Sequence, residues 1–476
     1  MNTLHVDFAV IGAGTAGLAA FRAAKSHGKS GVLIEGGPYG TTCARVGCMP
    51  SKLLIAAAEA AHAISHAPGF GVHADNLRID GRAVMARVRA ERDRFVGFVL
   101  EGVERIPEAE RLRGHARFLD PKRLQVDEHT IVHAERIVIA TGSRPQIPSQ
   151  LRDAGKRLVV NDDVFEWQDL PESVAVIGTG VIGLELGQAL HRLGVRVAVF
   201  GRSARIAQLT DPEVTAAAAR ALGQELDLRS HAKILSAHDD GERVKLRYRD
   251  NKGVEHGEHF RYVLTAAGRM PDLLQLGLEN TGLELDAHGV PRYDPHTMQC
   301  GSSAIFIAGD ANHERPLLHE AADQGRIAGD NAALFPAVRA GLRRSPLNIA
   351  FTEPQIAVAG ESFAELGDRI AFGTVSFEDQ GRSRVMRQNR GLLRVYGEHG
   401  SMRFLGAEMA GPRAEHLAHL LAWAHQNRMT VPAMLEMPFY HPVVEEGLRT
   451  ALRDLNEKLQ RGLPEIEHCT DCTPGA

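Results

Sequence analysis

The chain carries one strand–turn–helix–strand pattern twice, and this repeat constrains its fold more than any other feature. In the first copy an apolar strand at 6–11 leads into the turn Gly12-Ala13-Gly14-Thr15-Ala16-Gly17 and an alanine-rich helix. A second strand, at 31–34, ends at Glu35. In such a unit the first glycine permits a tight turn, the second lets a pyrophosphate approach the backbone, and the third allows close helix–strand packing. The pattern predicts a dinucleotide-binding βαβ unit.

The second copy has a strand at 174–177, the turn Gly178-Thr179-Gly180-Val181-Ile182-Gly183, a helix and a closing strand at 195–200. Free N–H groups at the start of each helix offer a site for phosphate. One such turn would be weak evidence, but two in the same context favour two nucleotide sites over glycines that merely turn the chain. The candidate nucleotide-binding glycines are Gly12, Gly14, Gly17, Gly178, Gly180 and Gly183.

Composition narrows the class of protein. With 476 residues, 44% hydrophobic and 24% charged, we expect a globular protein of two to four domains. A net charge of −4 gives no reason to expect nucleic acid or a membrane as partner, and no apolar stretch approaches the roughly 20 residues of a membrane span. The chain enters a strand almost at once, so we expect no signal peptide and a cytoplasmic location. Five cysteines are too few for a disulfide framework, and paired cysteines then indicate redox or metal chemistry.

The predicted fold class is α/β, with two Rossmann-like, three-layer nucleotide-binding domains and a C-terminal α+β domain. Alternating strands from about residue 354 and helical stretches near 413–426 and 444–459 indicate the last domain. We divide the chain into a first nucleotide-binding domain at 1–147, a second at 148–268, a return to the first at 269–342, the C-terminal domain at 343–463 and a flexible tail at 464–476.

The segment from Thr41 to Lys52 contains two cysteines whose spacing restricts the backbone between them. Cys43 and Cys48 are five positions apart, which on a regular helix separates their Cα atoms by roughly 8–9 Å. A disulfide tolerates less than about 7 Å. A bond between them therefore requires a distorted helix, for which Gly47 supplies the freedom, and a strained disulfide is easily reduced. Lys52 follows Cys48 by one helical turn and can face the same side.

This segment closely resembles the CxxxxC redox motif of the class I pyridine nucleotide-disulfide oxidoreductases, a family that includes dihydrolipoamide dehydrogenase, glutathione reductase and mercuric reductase. The resemblance extends over nearly the whole chain and is closest in pattern to dihydrolipoamide dehydrogenase. It makes an incidental or purely stabilising cysteine pair the weaker interpretation. The further segments that carry it are Ala140-Thr141-Gly142-Ser143-Arg144-Pro145, Ala267-Gly268-Arg269-Met270-Pro271, Ile307-Ala308-Gly309-Asp310, Phe351-Thr352-Glu353-Pro354, and His441-Pro442 with Glu446.

The resemblance implies an FAD enzyme that exchanges electrons with NAD(P)H through a Cys43–Cys48 disulfide. Cys48 would lie against the isoalloxazine ring, and Cys43 would exchange with the external disulfide or dithiol. Lys52 would lie near flavin N5 and pair with Glu185. Besides the six glycines, the implied cofactor-binding residues are Glu35 at the adenosine ribose and Asp310 at the ribityl chain, with Thr42, Lys52, Thr141, Gly142, Gly268, Arg202 and Arg205.

His441 is the candidate general base, and the resemblance implies that the partner subunit of a homodimer supplies it to a shared active site. Thiol–disulfide exchange needs a thiolate, and a thiol of pKa ~8.5 is mostly protonated at neutral pH, so an imidazole is a suitable proton acceptor. Pro442 fits the first turn of a helix, which would place Glu446 to orient the imidazole. For the other histidines we favour structural or surface roles, and no His/Cys spacing predicts a metal site.

The repeat also locates the position that selects the nucleotide. Glu35 lies 18 positions after Gly17, and the same count from Gly183 reaches Gly201. A carboxylate there binds the ribose hydroxyls and repels a 2′-phosphate, whereas a nearby arginine accommodates that phosphate. The chain continues Arg202-Ser203-Ala204-Arg205, so we predict that NADPH is accepted at least as well as NADH. Alternatively, both arginines are solvated surface charges, and dihydrolipoamide dehydrogenases usually carry the acid and use NAD.

Several positions near the substrate entrance depart from typical dihydrolipoamide dehydrogenases. Ala44-Arg45 replaces Leu-Asn between the cysteines, Val443 replaces Thr, and Phe439 stands where a second His is common. The tail adds Cys469 and Cys472, which are either incidental surface cysteines or an accessory redox or metal-relay pair. The fifth cysteine, at 300, has no partner nearby in sequence, and we expect it to be structural.

Three functions follow from these patterns. The first is oxidation of dihydrolipoamide, and the second is NADPH-dependent reduction of another disulfide or of a thiol-bound metal ion. The third is a flavin-binding sensor or scaffold without turnover. The intact set of chemically active residues argues against the third; its members are Cys43, Cys48, Lys52, Glu185, His441 and Glu446.

Overall fold

The computed structural model describes residues 2–461, so the cysteine pair of the tail lies outside the described residues. In the first nucleotide-binding domain, the turn at Gly12–Gly17 joins a buried parallel strand to a helix, as expected for a strand covered on both faces. The elements are β1 (Asn2–Ile11), α1 (Thr15–Ser26), β2 (Gly31–Glu35), α2 (Thr42–Val46), α3 (Cys48–His66), α4 (Gly81–Glu104), β3 (Arg111–Arg113), β4 (Ala116–Asp120), β5 (Arg123–Val126), β6 (Thr130–Ile139) and β7 (Ser143–Pro145). The sheet order is β3-β2-β1-β6-β5-β4, parallel from β3 to β6 and antiparallel beyond.

The second nucleotide-binding domain repeats this design around the turn at Gly178–Gly183. Its elements are β8 (Leu158–Val159), α5 (Asn161–Val164), β9 (Ser173–Ile177), α6 (Val181–Arg192), β10 (Arg196–Phe200), α7 (Pro212–Gly223), β11 (Asp227–Arg229), β12 (Lys233–Asp239), β13 (Val244–Arg249), β14 (Glu255–Phe260) and β15 (Tyr262–Thr265). The order β11-β10-β9-β15-β8 forms a parallel sheet, and β12-β13-β14 form a separate antiparallel one.

The chain then returns to the first domain through β16 (Arg269–Pro271), β17 (Ile305–Ile307) and α8 (Leu318–Leu334). Strand β16 pairs antiparallel with β7, and β17 adds a seventh strand beside the end of β6. Helix α8 packs closely on α1, because a Cβ atom on Gly325 or Gly329 would lie 2.2 Å from the carbonyl oxygen of Ala16 or Ala20. Glycine is needed for this approach.

The C-terminal domain consists of β18 (Leu347–Ala350), β19 (Gln355–Gly360), β20 (Ile370–Ser376), α9 (Gly381–Val385), β21 (Leu392–Glu398), β22 (Phe404–Gly411), α10 (Ala414–Gln426), α11 (Val431–Leu435) and α12 (Glu445–Arg461). Its antiparallel sheet has the order β18-β19-β22-β21-β20. The predicted helical stretches correspond to α10 and α12, whereas the short α11 was not predicted.

Two buried carboxylates fasten the second domain to the C-terminal sheet. Asp211 caps α7 and accepts hydrogen bonds from Arg394 at 2.9 and 3.0 Å and from the Tyr396 hydroxyl at 3.1 Å. Glu408, fully buried, accepts hydrogen bonds from the backbone N–H groups of Thr210 at 2.8 Å and Asp211 at 2.9 Å. Buried carboxylates are tolerated only when they are matched in this way, so these contacts define how the two domains meet.

The limits assigned from the sequence to the three domains and the tail stay predictions. Within residues 2–461, no helix combines the length and apolar character needed to cross a bilayer.

Candidate redox-active site

The two cysteines lie on either side of a break between helices. Helix α2 ends at Val46, Gly47 has non-helical backbone angles (φ −122°, ψ −116°), and α3 begins at Cys48. A Cβ atom on Gly47 would lie 3.0 Å from the carbonyl oxygen of Thr42 and 3.2 Å from Cα of Cys43. The absence of a side chain at this position therefore lets the chain fold back and bring the cysteines together.

The two thiols differ in acidity. Both are free in this structure; Cys43 is half-buried and Cys48 is exposed. The pKa of Cys48 is lowered to about 7, mainly because Cys43 donates a hydrogen bond to its sulfur and further because the Lys52 ammonium is close, while burial opposes the shift. The pKa of Cys43 is raised by that same hydrogen bond and by burial. Cys48 is thus the thiol that carries the negative charge when the pair is reduced.

Lys52 is held on the next turn of α3 by contacts from two other domains. Its Nζ atom lies 2.6 Å from Oε2 of Glu185 on α6 and 4.5 Å from the ring centroid of Phe351. The other oxygen of Glu185 accepts the backbone N–H of Phe351 at 2.9 Å. Glu185 is only 4% exposed, so the ammonium is its necessary counter-charge.

The first glycine-rich turn has the shape that a dinucleotide requires. Cβ atoms on Gly12 and Gly17 would lie 2.3 Å from the Ala140 carbonyl oxygen and 1.8 Å from the Gly12 carbonyl oxygen, whereas Gly14 has no atom within 4 Å of that position. The open space at Gly14 faces the free N–H groups at the start of α1, where a pyrophosphate would bind. Glu35 accepts hydrogen bonds from two backbone N–H groups at 2.7 Å each, which fixes its carboxylate for ribose hydroxyls.

Polar groups for the rest of FAD lie along the same domain. Asp310 accepts the hydroxyl proton of Ser143 at 2.7 Å. The Thr141 hydroxyl is buried and finds no hydrogen-bond partner among residues 2–461, a group that a bound cofactor would satisfy. Gly142 adopts φ +72°, in the region that favours glycine. Together with the glycine turn, these residues fit FAD. Thr42 begins α2, beside the cysteines.

The second glycine-rich turn repeats this geometry. Cβ atoms on Gly178 and Gly183 would lie 2.3 Å from the Ala266 carbonyl oxygen and 2.1 Å from the Gly178 carbonyl oxygen, while Gly180 faces open space. Gly268, at φ +115°, turns the chain after β15. The residues fit a nicotinamide nucleotide.

Arg202 and Arg205 follow the end of β10 and are exposed. Neither guanidinium forms an ion pair in the part of the chain that the structure describes. By contrast, Arg229 on the adjacent strand β11 forms ion pairs with Asp227 and Glu258. Arg202 and Arg205 are thus the cations available beside Gly201.

His441 pairs with Glu446, at 3.1 Å from its Nδ1 atom to either carboxylate oxygen. This hydrogen bond lowers the pKa of Glu446. The prediction that Pro442 occupies the first turn of a helix is wrong: α12 begins at Glu445, and Pro442 lies in the preceding turn. The Glu446 carboxylate, in the first turn of α12, accepts the free N–H of Val443 at 3.3 Å and so caps the helix from within, with His441 to Val443 ahead of it.

Within one chain the structure does not bring His441 to the cysteines. Its side chain is 81% exposed, and its only polar contact among the described residues is with Glu446. An imidazole presented to solvent in this way is available to a second subunit.

Sequence reasoning missed two residues of the site. Phe351 covers Lys52, and Ser143 bonds to Asp310. Both belong to segments that carry the family resemblance, but the pattern did not indicate what they contact. Cys300 is fully buried, and burial raises the pKa of its thiol to about 12; its structural role stays a prediction.

Comparison with known proteins agrees with this geometry. Residues 6–325 match the family model of pyridine nucleotide-disulphide oxidoreductases, and 347–452 match the dimerisation domain of the same family. Mercuric reductase of Shigella flexneri is 32% identical, over 97% of this chain and 82% of that protein. Dihydrolipoyl dehydrogenase of Chlamydia pneumoniae is 30% identical, over 93% of this chain and 95% of that protein.

Among solved structures, the Cu(II) complex of the HOCl-induced flavoprotein disulfide reductase RclA from Escherichia coli has a TM-score of 0.79 at 21% identity. The match covers 94% of this chain and 99% of that one. Taken with the family matches, it confirms the predicted fold class.

The unequal acidity of the thiols predicts the pH profile of Cys48. In the reduced protein we expect its alkylation by iodoacetamide, followed by peptide mass spectrometry, to rise through a midpoint near pH 7. An unperturbed thiol would titrate near ~8.5, because only the thiolate reacts. Cys43→Ala removes the principal hydrogen-bond donor and should move the midpoint of Cys48 upward. A wild-type midpoint of 8.5 or above would contradict the assignment.

Proposed function

We propose that this chain, which belongs to the pyridine nucleotide-disulphide oxidoreductase family, oxidises dihydrolipoamide with NAD(P)+. It is an FAD-dependent enzyme of the kind that exchanges electrons with NAD(P)H, and its dimerisation domain supports a homodimer. The net reaction is dihydrolipoamide + NAD(P)+ → lipoamide + NAD(P)H + H+. The observation that carries the proposal is the apposed Cys43/Cys48 pair beside Lys52, in a chain that also keeps the His441–Glu446 pair.

The thiol chemistry follows from the acidity of the groups. A substrate thiol gives its proton to His441, and the thiolate attacks the Cys43 sulfur of the Cys43–Cys48 disulfide. The sulfur–sulfur bond breaks and Cys48 leaves as a thiolate, which its low pKa favours. The second substrate thiol then attacks the substrate sulfur joined to Cys43, so that lipoamide forms and Cys43 leaves with the second proton.

FAD, when bound, supplies the two-electron link between this dithiol and the nicotinamide. Lys52 holds a positive charge beside Cys48 and stabilises its thiolate. Glu185 keeps the ammonium in place from α6.

The base would come from the partner subunit. His441 is 81% exposed and oriented by Glu446, which stabilises the imidazolium that forms on proton transfer. Within its own chain the His441–Glu446 pair does not reach the cysteines. This is expected if the active site is completed by a second subunit.

A second candidate is NADPH-dependent reduction of a thiol-bound metal ion. Two observations support it: mercuric reductases are among the relatives at 32% identity, and the tail contains Cys469 and Cys472. The retained His441–Glu446 pair favours the dithiol reaction, since a base for a thiol proton has no use in reducing a metal ion. A cytoplasmic location and the absence of nucleic-acid or membrane partners stay predictions.

Steady-state turnover with lipoamide, glutathione disulfide and Hg²⁺, each with NADH and NADPH, tests the proposal. We expect the highest kcat/KM with lipoamide. His441→Ala should slow lipoamide turnover roughly 10²–10⁴-fold, while the stopped-flow rate of flavin reduction by nucleotide stays unchanged, because the base acts only on the thiols. Turnover of Hg²⁺ but not lipoamide would replace the proposal by the second candidate, and an equal loss in both half-reactions would remove His441 from its role.

The two exposed arginines, Arg202 and Arg205, lead to a prediction about whether the enzyme prefers NADPH or NADH. Neither is paired with a carboxylate of the described residues, and a 2′-phosphate would supply their counter-charge. We expect wild type to use NADPH at least as well as NADH, and Arg202→Glu to shift the kcat/KM ratio toward NADH by at least about tenfold, the loss of a charged hydrogen bond. Arg220→Glu, the same charge change at an exposed site on α7, is the control. Strong wild-type discrimination against NADPH would contradict the assignment.

A further inference from the structure

The break between α2 and α3 is held by a side chain from the second nucleotide-binding domain. Asn161, at the start of α5, is only 6% exposed. Its Nδ2 atom donates a hydrogen bond of 2.8 Å to the carbonyl oxygen of Val46, the residue immediately before Gly47. This contact reaches the loop between the two cysteines from a different domain.

The Val46 carbonyl needs such a donor. It belongs to the last residue of α2, and the last carbonyls of a helix have no partner within that helix. Val46 is itself buried, and a buried carbonyl without a hydrogen-bond partner destabilises the conformation that holds it. Without Asn161 the Val46 carbonyl would have no donor at the break before Gly47, and the loop would favour other conformations.

The orientation of the Asn161 amide is fixed by its neighbours. The Asn161 Nδ2 atom donates its second proton to Oδ1 of Asp162 at 2.9 Å. The Asn161 Oδ1 atom accepts a hydrogen bond from Nη1 of Arg269 at 3.5 Å. A rotated amide would place its oxygen against the Val46 carbonyl and the Asp162 carboxylate, both acceptors. Only the observed orientation satisfies all its neighbours.

The same network continues to the flavin site. Arg269 donates to the hydroxyl of Ser143 at 2.8 Å and to its carbonyl at 2.7 Å. The Ser143 hydroxyl in turn donates to Asp310 at 2.7 Å. A continuous series of hydrogen bonds therefore joins the loop between the cysteines to a residue that fits the cofactor.

We propose that Asn161 is a positioning residue of the redox centre, holding the Val46 carbonyl so that Cys43 and Cys48 stay apposed. The inference rests on the proposed function, because it assumes that these two cysteines form the active disulfide. Two thiols that are already held side by side lose little conformational entropy when they form a disulfide. When the loop is released, closure becomes less favourable and the disulfide is more easily reduced.

The test is the thiol–disulfide equilibrium of the pair in the FAD-bound dimer, measured in dithiothreitol redox buffers by alkylation and peptide mass spectrometry. Asn161→Asp keeps the shape but opposes the Val46 carbonyl with an acceptor, and Asn161→Ala removes the contact. In both we expect the equilibrium constant for disulfide formation to fall about tenfold, as for one lost buried hydrogen bond, or about 30 mV for the two-electron couple. Should Asn161→Asp not fold, Asn161→Ala gives the result.

Asn331→Asp is the matched control. Asn331 lies on α8, away from the cysteines, and is 1% exposed; its amide, like that of Asn161, donates two hydrogen bonds, here to the carbonyls of Thr297 and Arg339. It should lower the melting temperature without moving the thiol equilibrium. An unchanged equilibrium in folded Asn161 variants, or an equal shift in Asn331→Asp, would overturn the inference. A wild-type protein that forms no Cys43–Cys48 disulfide would instead overturn the proposed function.

Discussion

The ion pair between Lys52 and Glu185 joins all three folded parts of the chain at one point. Lys52 lies on the helix that begins with Cys48, Glu185 lies on the helix that follows the second glycine-rich turn, and Phe351 immediately follows the first strand of the C-terminal sheet. Glu185 is almost fully buried, so loss of the ammonium would leave an uncompensated charge, a change that typically costs about 3–5 kcal/mol. The relative placement of the nucleotide site and the cysteines depends on this contact.

The hydrogen bond between the two thiols sets their acidity, and the ammonium adds to its effect. Cys43 keeps its proton and donates it to the Cys48 sulfur, which stabilises the negative charge there. This hydrogen bond raises the pKa of Cys43 and lowers that of Cys48, and the Lys52 ammonium lowers the pKa of Cys48 further. Cys43, the more basic thiol, is the one that takes up a proton when the substrate disulfide forms, and the exposed imidazole of His441 is suited to accept the other substrate proton from a second subunit.

Local rules explain what the sequence could predict. Glycines at 17 and 183 are required by backbone contacts within their own turns, and the need for a break between cysteines five positions apart follows from helix geometry. The contact between Asn161 and Val46 joins residues 115 positions apart, and no periodicity encodes such a pairing. The helix start also depends on a side-chain contact, since Glu446 caps the N–H of Val443 from the first turn of α12, which begins at Glu445 and not at Pro442.

Thiol labelling shows whether a nicotinamide nucleotide reduces the Cys43–Cys48 disulfide. The oxidised, FAD-bound protein is mixed anaerobically with a slight excess of NADPH or NADH, alkylated and analysed by peptide mass spectrometry. We expect new label on Cys43 and Cys48, with none added to Cys300, and no new label when FAD has been removed. Label that fails to appear at these two cysteines, or that appears equally without FAD, would contradict this expectation.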